Sequence, residues 1–137
     1  MKVDFLMSDT RDNFNRWYKG PLTLLYQNDD AGIPILMITL PLLERYLREK
    51  TGIHEETGVN SPDFNKALMQ MFPGLPNERI AQKFWRVFRH GLCHQATLRV
   101  LPDLIFAGLN NDAPALHTDG MNFIVSPVKF SQKVIEE

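Results

Sequence analysis

The stretch NERIAQKFWRVFRHGLCH, residues 77–94, decides the fold prediction, because a helix-capping start precedes a long apolar face. Asn77 is a residue type typical of an N-cap, and apolar residues follow it at helical spacing. On a wheel of about 100° per residue, one broad face is apolar. Its members are Ile80, Ala81, Phe84, Val87, Phe88, Gly91 and Leu92, with Trp85 at the margin. We therefore predict a helix that reaches at least residue 94 and packs this face into a core.

Further helices are predicted on both sides of this stretch. One covers residues 8–19, and Gly20-Pro21 either kinks it or starts a second segment that runs to residue 26. Asp29-Asp30 is expected to cap a helix over 33–50 that stops at Gly52. Ser61-Pro62 starts another helix, and Ser126-Pro127 starts a short final one.

After residue 96 the helical spacing of apolar residues ends, and the sequence predicts β-structure. Residues 97–101 and 104–106 are β-prone, and Asp119-Gly120 is a hairpin signal between two apolar segments. The fold class expected is mainly α: an antiparallel bundle of four to five helices with a small β-hairpin near the C-terminus. Residues 1–137 are expected to form a single domain.

Composition narrows the functional classes. The chain has 137 residues, 44% hydrophobic and 23% charged, with a net charge of −1. Any affinity for nucleic acid must therefore come from a local concentration of cations. The only cysteine, Cys93, excludes an internal disulfide and favours a reducing compartment. With no segment long and apolar enough to span a membrane, we expect a cytoplasmic protein.

A basic stripe lies opposite the apolar face of the helix over 78–94. No aspartate or glutamate occurs from residue 79 to residue 102, whereas an ordinary solvated face mixes charges. Arginine and histidine together suit a phosphate-bearing ligand. The alternative is that the stripe pairs with acids elsewhere, such as Glu44, Glu49, Glu55 and Glu56. The basic stripe consists of Arg79, Lys83, Arg86, Arg89, His90, Cys93 and His94.

The end of this helix resembles a known motif. Arg89 and His94, with the polar His90 directly after the arginine, are similar to the Arg-x(4–6)-His motif of the HEPN superfamily. Arg48 and His54 have a matching spacing, but Gly52 is expected to end their helix between them. On an ideal helix Arg89 and His94 point about 140° apart. The length of the arginine side chain, or a loosening near Gly91, would have to bring the two side chains together. Two copies that meet in a dimer would relax this requirement.

The resemblance implies a metal-independent endoribonuclease in which one HEPN-like domain covers residues 1–137. It implies His94 as acid–base group at the ribose 2′-hydroxyl or the departing 5′-oxygen, and Arg89 as stabiliser of the phosphorane-like charge. His90 would orient the phosphate or act as a second acid–base group. Arg79, Lys83 and Arg86 would hold flanking RNA phosphates. The resemblance also implies a homodimer, with a toxin or defence role and a possible antitoxin-like protein partner.

Two other readings stay open. The same basic stripe could serve a non-catalytic helical module that binds RNA or a protein. A small-molecule or metal sensor would use His90, His94 and His117, since imidazole is a common zinc ligand. We expect neither a cofactor nor a metal, because the histidines lack the intervening acid of the metalloprotease pattern and no phosphate-cradling glycine loop occurs.

Overall fold

The computed structural model describes residues 10–53, 61–92, 107–119 and 122–136. These residues are mainly helical with a small sheet near the C-terminus, as the sequence predicts. Their elements, in chain order, are α1 (Thr10–Phe14), the π-helical segment π1 (Asn15–Lys19), α2 (Gly20–Leu25), α3 (Gly32–Thr51), α4 (Pro62–Met71), α5 (Glu78–Phe84), the π-helical segment π2 (Trp85–His90), β1 (Ala107–Leu109), β2 (Leu116–Asp119), β3 (Asn122–Val125) and α6 (Pro127–Glu136).

The predicted starts of the later helices are confirmed. The Ser61 hydroxyl, the Asn77 amide oxygen and the Ser126 hydroxyl each accept a backbone N–H from the residue three positions further on. These bonds satisfy N–H groups that the first turn of a helix leaves unpaired. Gly52 ends α3 with a φ of 71°, in the left-handed region that glycine adopts without strain.

The predicted cap of α3 is wrong. The helix begins at Gly32 with Ala31 in the N-cap position, and no side chain caps it. The Asn28 side-chain oxygen instead accepts the Asp30 N–H at 2.8 Å, so Asp29-Asp30 belongs to a local turn before the helix. Asn and Asp favour such turns because the side chain can bond the backbone two residues on.

The predicted interruption at Gly20-Pro21 is a change of helical pitch rather than a break. The Gly20 N–H bonds the Asn15 carbonyl five residues earlier, as a π turn requires, and α1, π1 and α2 form one continuous helix. This wider turn accommodates Pro21, which lacks an N–H and would clash within a regular α-helix. A Cβ at Gly20 would lie 3.0 Å from the Asn15 oxygen, so glycine fits here best.

The C-terminal hairpin is confirmed, and the sheet is larger than predicted. β3 lies in the centre of a three-stranded sheet, pairing antiparallel with β2 and parallel with β1. Asp119 is opposite Asn122, which leaves two residues for the hairpin connection. The β-prone segments 97–101 and 104–106 lie outside the described residues.

Aromatic rings join the sheet and α6 to the helical core. The Phe84 ring lies 4.9 Å from Phe88, 6.1 Å from Phe123 of β3 and 5.9 Å from Phe130 of α6. Phe130 also stacks on Phe72 at 4.6 Å. Helices and sheet therefore share one core centred on α5 and π2. In the described parts of the chain, no helix has both the length and the apolar character that crossing a membrane demands.

The loop between α4 and α5 lies directly against β2. A Cβ at Gly74 would overlap the carbonyl oxygen of Leu116, so glycine is what permits this close approach of two backbones. The contact fixes the start of the hairpin relative to the helices that carry the basic stripe.

Candidate functional site

The predicted core face of the helix over 78–94 is confirmed as far as the structure describes it. All seven of its predicted members, from Ile80 to Leu92, are buried. Trp85, expected at the margin, is fully buried, and its ring meets Phe64 of α4 edge-on at 5.0 Å. The helix is therefore buried over more of its circumference than the wheel indicates.

The turn geometry of the helix changes at Trp85. From Trp85 to His90 the helix is π-type, and the Gly91 N–H bonds the Arg86 carbonyl five residues earlier. Each π turn holds more residues than an α turn, so the helix widens immediately before Gly91, where a loosening was one way to bring Arg89 and His94 together. Single π turns inside α-helices occur frequently at functional sites.

Two members of the basic stripe face solvent, and one does not. Arg79 and Arg86 are exposed. Lys83 is only 7% exposed, so its expected position on the solvent-facing side is wrong. Its buried neighbours Ala81 and Phe84 show that the core surrounds this turn on more than one side. Lys83 is therefore poorly placed for a flanking phosphate.

Arg89 forms an ion pair between two helices. Its Nε lies 3.4 Å from Oε1 of Glu44 on α3, and its Nη2 donates to Oε2 of the same carboxylate at 3.5 Å. Arg48, one turn after Glu44 on α3, places its Nε 3.7 Å from Oε2. We call these three residues the Glu44 cluster. Of the acids expected to pair with the basic stripe, Glu44 does so.

The Glu44 cluster is charged, and its contacts are loose. Two guanidinium groups share one carboxylate, and Arg48 has a further interaction of its own. Tight charge-assisted hydrogen bonds measure about 2.7–2.9 Å, whereas the contacts here are 3.4–3.7 Å. The side chains of the cluster are 16–17% exposed, and the Nε atoms of Arg48 and Arg89 are buried.

The remaining acids of the proposed pairing divide into two groups. Glu49 pairs with Arg45 on α3 at 3.7 Å, a contact between exposed side chains one turn apart. Glu55 and Glu56 lie outside the described residues. Arg48 and His54 are the second pair with the spacing of the motif. Gly52 ends α3 between these two positions, as predicted.

The histidines of the motif are described only in part. His90 follows Arg89 at the end of π2 and is half-buried, with an interaction of its own. Cys93 and His94 lie outside the described residues, so the Arg89–His94 geometry stays a prediction. His117 is exposed on β2. Among the described side chains, no three His, Cys, Asp or Glu residues are grouped so as to hold a metal ion.

A cleft lies where the start of α3 meets the end of β1. This cleft of about 360 Å³ combines polar loop residues with an apolar wall, and it brings together two polar segments that the sequence keeps apart. It is lined by Asp29, Asp30, Gly32, Ile33, Leu109, Asn110, Asn111 and Pro127. None of the Glu44 cluster lines it, so its chemistry is separate from the basic stripe.

No known protein family, curated protein or solved structure gives a significant match to this chain. The resemblance to HEPN proteins therefore depends on Arg89, His90, His94 and the helix that carries them. That helix lies beside α3, where Glu44 forms an ion pair with Arg89.

Proposed function

We propose that this protein is a metal-independent endoribonuclease of HEPN type whose site lies at the end of π2. The observation that carries the proposal is the position of Arg89. Its guanidinium is held by Glu44 at the end of a basic, acid-free helix segment, and the Arg89 side chain is 16% exposed. In sequence, it lies five residues before His94. An oriented cation close to an acid–base group is what cleavage of a phosphodiester needs.

The reaction requires no external cofactor. The ribose 2′-oxygen attacks the adjacent phosphorus, the bond to the 5′-oxygen breaks, and the products carry a 2′,3′-cyclic phosphate and a 5′-hydroxyl. His94 takes the 2′-hydroxyl proton or gives one to the leaving oxygen, since its ordinary pKa is near neutral. Arg89 stabilises the charge that gathers on the phosphorane oxygens. His90 orients the phosphate or acts as the second acid–base group.

The Glu44 carboxylate orients Arg89 in this scheme. A long arginine side chain loses considerable rotamer freedom when it is fixed, and the ion pair fixes it before substrate binds. Exposed Arg79 and Arg86 hold flanking phosphates, which adds affinity without sequence preference. The proposed assembly is a cytoplasmic homodimer of antiparallel bundles that acts on RNA, with a toxin or defence role and an antitoxin-like protein as a possible partner.

Cleavage of a mixed RNA pool in EDTA tests the proposal. The wild type should cleave and leave 2′,3′-cyclic ends, whereas Arg89→Ala and His94→Ala should be inactive and folded. His117→Ala is the matched control, because it removes an exposed histidine from β2. Equal cleavage by the wild type and His94→Ala would contradict the proposal, as would loss of cleavage in His117→Ala.

A non-catalytic module that binds RNA through the basic stripe is the second candidate. The exposure of Arg79 and Arg86, with no acid between residues 79 and 102, favours it. This module would tolerate His94→Ala but lose affinity in Arg86→Glu, because reversing an exposed charge repels phosphates. Filter binding of both variants separates the two candidates.

A further inference from the structure

The two tryptophans of the chain lie in opposite environments. Trp85 is fully buried in the core, whereas Trp17 is 61% exposed. Trp17 belongs to π1, and none of the five residues of this segment is buried. The helix is anchored on both sides of π1, because Phe14 and Leu22 are buried. The indole ring of Trp17 is therefore presented to solvent from a helix that the core holds in place.

Two cations accompany Trp17. Arg16 directly precedes it, Lys19 follows two residues later, and both are exposed. In the part of the chain that the structure describes, neither forms an ion pair, not even with Asp12 one turn before Arg16. Both charges are therefore available to an anionic ligand that also contacts the ring.

The position of the charges indicates the class of ligand. Leu24, two turns after Trp17, is 71% exposed, but no charged residue occurs from residue 20 to residue 28. A lipid surface or an apolar protein partner would use both apolar side chains. A ligand that combines anionic groups with flat rings would use only the side chain that lies beside the cations. Single-stranded RNA is such a ligand, because its bases stack on aromatic side chains while cations contact its phosphates.

We propose that Trp17 stacks on a base of single-stranded RNA, and that Arg16 and Lys19 bind the phosphates next to that base. The inference rests on the proposed function in that it takes RNA as the ligand. Trp17 lies outside the Glu44 cluster, so it adds affinity for the strand and takes no part in cleavage. The contact does not select a sequence, because every base has a flat face.

Tryptophan emission reports on this contact directly, since Trp17 is exposed and Trp85 is buried. The probe is a 2′-O-methyl oligouridine, which lacks the free 2′-hydroxyl that cleavage requires. Its binding to the wild type should quench the emission of Trp17 without a shift to shorter wavelength. Trp17→Phe keeps an aromatic ring and leaves Trp85 as the only indole. It should therefore retain binding of the probe but lose the quenching.

Fluorescence anisotropy of the labelled probe measures the affinity of each variant. Trp17→Ala should weaken binding by roughly tenfold, as loss of one stacking partner does. Leu24→Ala is the matched control, because it removes an exposed apolar side chain that is not aromatic, and it should leave binding unchanged. Arg16→Gln and Lys19→Gln should each lower the slope of log affinity against log salt by about 0.7, the value for one phosphate contact on a single strand. Circular dichroism verifies that each variant is folded.

The outcomes separate this inference from the proposed function. Loss of binding in Trp17→Ala but not in Leu24→Ala, in a protein that cleaves no RNA, would support the inference and overturn the nuclease proposal. Equal binding by Trp17→Ala and the wild type would overturn the inference even if the wild type cleaves RNA, as would a wild type that does not bind the probe. Equal losses in Trp17→Ala and Leu24→Ala would also overturn it. A shift of the emission to shorter wavelength with phosphatidylserine vesicles, and no response to the probe, would assign Trp17 to a lipid surface instead.

Discussion

Helix α3 contributes side chains to two polar clusters, and the two are built differently. In its middle, the buried Thr39 hydroxyl donates to Ser131 of α6 at 2.8 Å, and the Ser131 hydroxyl meets the Tyr26 hydroxyl at 2.7 Å. Near its end lies the Glu44 cluster, with contacts of 3.4–3.7 Å. The hydroxyl cluster, consisting of Tyr26, Thr39 and Ser131, is neutral and has short hydrogen bonds. The Glu44 cluster is charged and has longer contacts.

Helix α3 thus carries one cluster that stabilises the fold and another that the proposed function uses. Buried hydroxyl groups with short hydrogen bonds favour one fixed arrangement, because any other would leave a polar group unpaired. The Glu44 cluster is charged and only 16–17% exposed, and its contacts are longer than those of tight charge-assisted hydrogen bonds. The hydroxyl cluster therefore holds α3 and α6 to the residue that follows α2, whereas the Glu44 cluster is the one that the proposed function uses.

The largest expected effect is on catalysis by the Glu44 cluster. Arg89→Ala should lower the rate of RNA cleavage by about 100-fold or more, the usual result of losing one group that stabilises transition-state charge. The free energy of unfolding should fall by less than the roughly 3–5 kcal/mol that an unpaired buried charge costs, because Glu44 keeps Arg48 as a partner. Cleavage assays and urea unfolding measure the two quantities. A large loss of stability would assign Arg89 a structural role.

The next effect is on stability and comes from the hydroxyl cluster. Ser131→Ala leaves the Thr39 and Tyr26 hydroxyls without their shared partner, so unfolding should become easier by about 2 kcal/mol. RNA cleavage should not change. Thr23→Ala is the control, because it removes an exposed hydroxyl that bonds only the Lys19 carbonyl. If Thr23→Ala lost as much stability as Ser131→Ala, burial would not explain the contribution of the hydroxyl cluster to stability.

Local signals account for what the sequence predicts well. Ser61, Asn77 and Ser126 cap their helices within a few residues of themselves, and Gly52 ends α3 through its own backbone angle. The hairpin and the core face of α5 follow from short-range periodicity. In each case the determining contact lies close along the chain, where a pattern can reveal it.

Long-range contacts and changes of pitch account for what the sequence misses. Arg89 and Glu44 are 45 residues apart, so the sequence suggests Glu44 only as one of several acids. No turn signal in the sequence reveals the pairing of β1 with β3, because parallel strands are not joined by a tight turn. The core around α5 buries Lys83 and Trp85, and an α-helical wheel contains no signal for the π turn from Trp85 to His90. Composition alone does not reveal which helix lies at the centre.

A smaller effect should appear at alkaline pH. Burial raises the pKa of Tyr26 above its ordinary value, with a contribution from Glu136, although the Ser131 hydrogen bond lowers it. The unfolded chain therefore releases this proton first, at about pH 10. Stability is fully present below that pH and is lost as pH rises towards the folded pKa. Urea unfolding of the wild type should show this loss, and Tyr26→Phe should lack it. If the free energy of unfolding had the same pH dependence in the wild type and in Tyr26→Phe, the prediction would be contradicted.

The smallest effect should come from Arg48→Met, which removes one charge from the Glu44 cluster and keeps an apolar stem. Removing one partner of a mostly buried ion pair is costly when it leaves the other charge unpaired, but Glu44 retains Arg89 and the methionine stem keeps the apolar packing. The free energy of unfolding should therefore change by less than about 1 kcal/mol, and the change should shrink further in 1 M salt, where charges are screened. Urea unfolding at low and high salt measures it. A loss comparable to that of Ser131→Ala would make the two clusters structurally equivalent, and Glu44 would then hold the helices together rather than hold arginines ready for an anion.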